Sequence, residues 1–172
     1  MATKVAPELK GSKIKTRSAR DRQEADRLYF EALALAKQSR EKSAARVVPL
    51  LRAATSLGHR MAAHALASWY LHGIGVRKNF RKAVELERVA ADGGITEAVY
   101  NLAVACESGR GTKKDEVEAF RLYRVAARRG DVDAMYGVGR CLFYGIGTRR
   151  NPRLGEKWIE RSRSANNQQK RA

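Results

Sequence analysis

The sequence predicts an all-α fold, an αα-hairpin repeat solenoid, and three observations carry that expectation. The first is a period of 36 residues, seen when 59–94, 95–130 and 131–166 are aligned without a gap. The second is a Gly-x-Gly pair at the same place in each block: Gly73 and Gly75, Gly109 and Gly111, Gly145 and Gly147. The third is a set of apolar or small residues at helical spacing on both sides of that pair. Self-similarity at such a period marks stacked supersecondary units.

Each block reads as two helices. The first is expected to run from the second to the fourteenth residue of the block, with Ala62, Leu66 and Tyr70 on one face. The next blocks place Ala98, Leu102 and Cys106, then Ala134, Val138 and Leu142, in the same columns. A small column, Ala67, Ala103 and Gly139, allows close helix approach. Gly73, Gly109 and Gly145 should stop this helix by taking the left-handed conformation. The second helix should start after Asn79, Asp115 or Asn151, all good N-caps. Pro152 then sits where proline is best tolerated. The apolar stripe is Ala83, Leu86, Val89 and Ala90, then Ala119, Leu122, Val125 and Ala126, closed by Gly94 and Gly130. Such a hairpin cannot bury its own apolar face, so neighbours must stack on it.

Residues 23–58 read as a degenerate fourth unit. Leu28, Tyr29, Leu33 and Leu35 suit its first helix, and Leu50, Ala53 and Ala54 fall in the columns of Leu86, Val89 and Ala90. Its loop lacks the glycine pair, and Pro49 should kink or delay its second helix. The solenoid is therefore expected over 23–166, between a flexible basic arm, 1–22, and a frayed tail, 167–172. Arg161, Ser162 and Arg163 replace Val125, Ala126 and Ala127, as a polar capping repeat requires, so the array is expected to end there.

Charge is concentrated at the ends. The chain has 172 residues and a net charge of +17, of which 46 terminal residues (1–22 and 149–172) hold +11. That excess suits solvation, or attraction to an acidic protein, nucleic acid or anionic lipid. No run of about eighteen apolar residues exists to span a membrane. The first residues show no signal-peptide stretch, so export by that route is not expected. Two cysteines make no disulfide framework and point to free thiols in a reducing, cytoplasmic setting.

The columns resemble the Sel-one-like repeat family, the tetratricopeptide-like αα-repeats of this length. The matching segments are 62–76, 98–103 and 90–94, which combine Ala, Leu, Tyr, Gly-x-Gly and Ala-Ala columns. The resemblance covers 59–166 well and 23–58 loosely. It implies a right-handed superhelical stack that serves as a scaffold for protein–protein contacts. The paired cysteines of the family's secreted branch are missing, which agrees with a cytosolic site.

No catalytic, cofactor or metal constellation emerges. The Gly-x-Gly pairs follow a helix rather than a strand, and no Lys-Ser/Thr follows them to hold phosphate. Cys106 falls on a core column, and Cys141 has neither a CxxC partner nor a base. His59, His64 and His72 lack ligand-spaced partners. The expectation is a non-enzymatic protein.

Two surfaces are candidates for binding. One is a loop edge: Arg77 and Lys78, Lys113 and Lys114, Arg149 and Arg150 precede the three helix caps and should form a cationic ladder. It would steer an acidic partner or serve solubility alone. The other is the inner face of the first helices, opposite the core stripe. It carries His64, Ser68 and His72, then Tyr100, Asn101 and Val104, then Tyr136, Arg140 and Tyr144, with Met61, Glu97 and Asp133 at its start. Trp69 stands where Ala105 and Cys141 align, and either fills a gap against the irregular first unit or anchors a partner. The function expected is an adaptor for an acidic protein, extending to its inhibition or neutralisation. The alternative is non-specific association with nucleic acid or anionic membrane through the termini, although only a single aromatic, Trp158, is interleaved there.

Overall fold

A computed structural model describes residues 18–38 and 40–171. The basic stretch 4–17 lies outside the described residues. Among those described, eight helices follow in order: α1 (Ala19–Gln38), α2 (Arg40–Ser56), α3 (Arg60–His72), α4 (Phe80–Asp92), α5 (Thr96–Ser108), α6 (Glu116–Arg128), α7 (Val132–Tyr144) and α8 (Pro152–Gln169). Each packs chiefly on its neighbours in the chain, so four antiparallel hairpins stack into a solenoid of αα-hairpins.

The caps are local and behave as their residue types dictate. The side chains of Asn79, Asp115 and Asn151 accept from the backbone N–H of Lys82, Glu118 and Leu154 at 2.9, 2.9 and 3.1 Å. Gly73, Gly109 and Gly145 end α3, α5 and α7 at φ of 74°, 70° and 81°. The second glycine of the pair has a different task. A Cβ at Gly111 would strike the backbone of Phe80 at the start of α4, and one at Gly147 would strike the backbone of Glu116 at the start of α6. Each loop therefore rests on the helix N-terminus of the preceding hairpin, and only glycine fits between.

The core has two large clusters and a thin join. The first gathers Tyr29, Val47, Leu51, Leu66, Trp69 and Tyr70 from hairpins one and two. The second gathers Val99, Tyr123, Met135, Val138, Cys141 and Leu142 from hairpins three and four. Between hairpins two and three the separate cluster is three alanines, Ala63, Ala90 and Ala98, edged by Leu86, Ala91 and Ile95. The repeated alanine columns are closed to solvent, with Ala62, Ala98 and Ala134 each 0 % exposed.

Four expectations need correction. Helix α1 begins inside the expected arm, because Ser18 and Asp21 form a reciprocal cap: Asp21 N–H donates to Ser18 Oγ and Ser18 N–H to Asp21 Oδ2, at 3.1 and 3.2 Å. Pro49 does not delay the second helix; α2 starts at Arg40 and passes through it. Proline removes the bond to the Ala45 carbonyl, and both residues are exposed, so water can serve that oxygen. Helix α8 reaches Gln169, taking in the first half of the expected tail. Ser162 is buried rather than outward-facing, and its hydroxyl donates to the Val132 carbonyl at 2.9 Å. Arg161 and Arg163 beside it are exposed.

Candidate functional site: a basic loop edge and a partly bonded inner face

All six edge cations are exposed. They divide by position. Lys78 lies over the Phe80 ring, with Nζ 5.0 Å from its centroid. Lys114 pairs with Glu116 at 2.7 Å, and Arg150 Nε donates to the Phe143 carbonyl at 3.0 Å. Arg77, Lys113 and Arg149, one residue earlier, make no ion pair or side-chain hydrogen bond to the described residues, and their charge is left for solvent or a partner. A further cation belongs to this edge. Arg110 sits 5.9 Å from the Phe80 centroid, so this ring carries two cations. The signal was in the sequence: Arg110 stands inside Gly-x-Gly, where the other blocks have Ile74 and Ile146.

The inner face is less open than its residue types suggest. Nδ1 of His64 donates to Glu87 Oε2 at 2.9 Å, and Asn101 Nδ2 donates to Glu87 Oε1 at 2.8 Å. His64 Nε2 also lies 3.5 Å from Glu97. Glu87 is on α4, so this node ties α3, α4 and α5 together. A second node does the same one repeat later: Arg140 of α7 and Tyr123 of α6 both donate to Glu107 of α5, at 2.6 and 2.8 Å. Burial alone would raise the Glu107 carboxyl, but these two hydrogen bonds outweigh it and hold it below the usual range. Burial, reinforced by Glu107, pushes the Tyr123 phenol up.

The remaining face residues fall into two sets. His72 bonds back to its own helix through Nδ1 and the Ser68 carbonyl at 2.8 Å. Tyr100 is half-buried, its ring 5.9 Å from that of Tyr123. Val104, Tyr136 and Tyr144 are open, at 40 %, 52 % and 67 % exposed, as is Met61. Trp69 is a correction. It is 3 % exposed and belongs to the first core cluster, where it fills the space against hairpin one and is closed to any partner.

The nodes give the fold a pH dependence with a definite sign. The bond to Glu87 holds the His64 imidazole above its ordinary range, against burial, with Glu97 adding to the rise. A raised folded pKa stabilises the fold below the unfolded value, about 6.5, and that stabilisation fades as pH rises through the folded value. His59 runs the other way. Burial lowers its imidazole, against Asp26, so acid costs stability there. Its Nδ1 accepts from Ala62 N–H at 3.0 Å, capping α3, and its ring stacks on Tyr29. The difference between wild type and His64→Gln isolates the first effect. In urea titrations, wild type should lead by more near pH ~5.5 than near pH ~8.5. A difference independent of pH would dismiss the node as a source of stability.

Neither cysteine is activated. Burial pushes the Cys141 thiol up to about 11 and raises that of Cys106. No group of three or more His, Cys, Asp or Glu among the described residues could hold a metal ion. No helix among them is long and apolar enough to cross a membrane.

Three Sel1 repeats match the sequence, at residues 60–95, 96–131 and 132–167, one residue off the frame used above. The chain belongs to the Sel1 repeat family. Solved structures agree on the fold. A Sel1 repeat protein from Oxalobacter formigenes superposes with a TM-score of 0.75 at 24 % identity, over 82 % of this chain and 58 % of that one. The protein c5321, a protective antigen of uropathogenic Escherichia coli with an SLR fold, gives 0.68 at 24 % identity, over 81 % and 33 %. Cysteine-rich protein B of Helicobacter pylori gives 0.55 at 23 % identity, over 67 % and 86 %. The Sel1 chain described here thus spans 58 % and 33 % of the length of the first two. No curated protein matches it significantly in sequence. Sel1 repeats generally mediate protein–protein contacts.

Proposed function

We propose that this Sel1 repeat chain is a non-enzymatic adaptor that binds an acidic protein, steering it with the loop edge and seating it on the inner face. The observation that carries the reading is the recurrence of one uncommitted cation per loop, Arg77, Lys113 and Arg149, at matched positions of three stacked hairpins. Clefts and edges of one sign raise encounter rates by roughly 10–10³-fold at low salt. Tyr136, Tyr144 and Val104 supply the exposed apolar contacts that fix a docked partner. Binding of this kind would suit inhibition or neutralisation of the partner. Two buried, unpaired thiols support a reducing compartment such as the cytoplasm.

The test is capture from nuclease-treated extract at low and moderate salt, followed by association kinetics with the captured protein. A stoichiometric acidic protein should survive nuclease. Reversing Arg77, Lys113 and Arg149 to Glu should slow its association at least tenfold at low salt and flatten the salt dependence. Unchanged rates at low salt would remove the edge from the mechanism. Loss of all bound material on nuclease treatment would favour the nucleic-acid alternative.

A further inference from the structure

Between hairpins two and three lies an apolar groove of about 160 Å³, bounded by Leu71 and Phe80 on one side and by Val104, Ala105 and Ser108 on the other. The residues around it differ from those at the other two joins. Between hairpins one and two, Trp69 occupies the column of Ala105 and is 3 % exposed. Between hairpins three and four, Arg140 and Tyr144 replace Val104 and Ser108, and Phe120 replaces Val84. The middle join has small residues in every one of these columns, and it is also where the core thins to three alanines.

Its surroundings select an occupant. The volume matches that of an apolar cavity able to take up a benzene-sized molecule, roughly 150 Å³. Leu71 and Val104 on its walls are each 40 % exposed. The Phe80 ring carries Lys78 on one contact and Arg110 on another, at 5.0 and 5.9 Å. One carboxylate, Glu87, lines the groove, but both its oxygens are taken by His64 and Asn101. An apolar socket is thus set beside cations with no free anion at its wall. The chain's own residues 1–17 are basic and do not match it.

We propose that this groove takes a leucine-sized side chain from an acidic segment of a partner protein, with Lys78 and Arg110 meeting the carboxylates that flank it. The proposal rests on the adaptor reading and supplies the motif that reading lacks.

The probes are fluorescent twelve-residue peptides rich in Asp and Glu with one central Leu, the same with Ala, and a Lys-rich peptide with Leu, each titrated against the full chain by anisotropy. The acidic Leu peptide should bind at least tenfold more tightly than the acidic Ala peptide, and the Lys-rich peptide should not bind. Ala105→Trp, which copies the plug of the preceding join, should erase the Leu preference and leave the acidic Ala peptide unaffected. Val104→Asp should also erase the Leu preference, and by placing a carboxylate on the exposed wall it should weaken both acidic peptides; it serves if the tryptophan variant misfolds. Lys78→Glu with Arg110→Glu should weaken both acidic peptides. Equal binding of Leu and Ala peptides, or a Leu preference that survives both groove variants, would overturn the socket while the acidic-partner reading stands. Binding of no acidic peptide would overturn both.

Discussion

Gly147→Ala is expected to cost about 2–5 kcal/mol, and Gly111→Ala a similar amount, while Gly130→Ala costs only about 1–2. All three glycines have positive φ, at 63°, 74° and 94°. An L-residue in that region loses roughly 1–2 kcal/mol wherever it stands. The difference lies in what a methyl group meets. At Gly130 nothing lies within 4 Å, whereas at Gly147 and Gly111 the obstacle is backbone at the start of α6 and α4. Backbone cannot rotate aside as a side chain can, so the loop must lift from the helix it rests on, adding the usual cost of overpacking, about 1–3 kcal/mol. Urea unfolding followed by circular dichroism measures all three. Equal losses at Gly130 and Gly147 would mean that the loops do not seat on the preceding hairpin.

Trp69→Ala should cost about 3–5 kcal/mol, the range for emptying a large aromatic site in a core. The ring is 3 % exposed among Val47, Leu51, Leu66 and Tyr70. In a solenoid each hairpin is stabilised mainly by its neighbours, so the damage should stay local. Hydrogen exchange should quicken through α1, α2 and α3 and leave α6, α7 and α8 protected. The three-alanine cluster between hairpins two and three is the natural break. Uniform loss of protection along the chain would show instead that the array unfolds as one unit.

These two cases differ in how far the residues announced them. The left-handed glycine ends, the Asn and Asp caps and the bounds of α3, α5 and α7 were all legible. Each depends on backbone dihedrals or on groups three or four residues apart, and the 36-residue alignment repeats the signal three times. The Ser18–Asp21 cap is equally local, but it stands alone within a basic stretch and has no repeat to reinforce it. Tertiary packing overrode the sequence pattern elsewhere. Trp69, large where its aligned partners are small, read as either a gap filler against the first unit or a partner anchor, and packing decided for the filler. The same fact means that it fills the join there and that Ala105 leaves the next one open.

The order of helices, their register and the small columns that let them stack were determined by the sequence alone, since hydrophobic spacing and capping act within a single hairpin. The tertiary structure decided which polar side chains remain available. His64, Asn101 and Arg140 all bear the chemistry of a binding face, yet their partners Glu87 and Glu107 lie on other helices, 14 to 33 residues away. Whether such groups meet depends on how each hairpin is rotated against the next. The bulk packed between hairpins differs at each join: Trp69 in the first cluster, three alanines at the second join, and Phe120 against the last cluster.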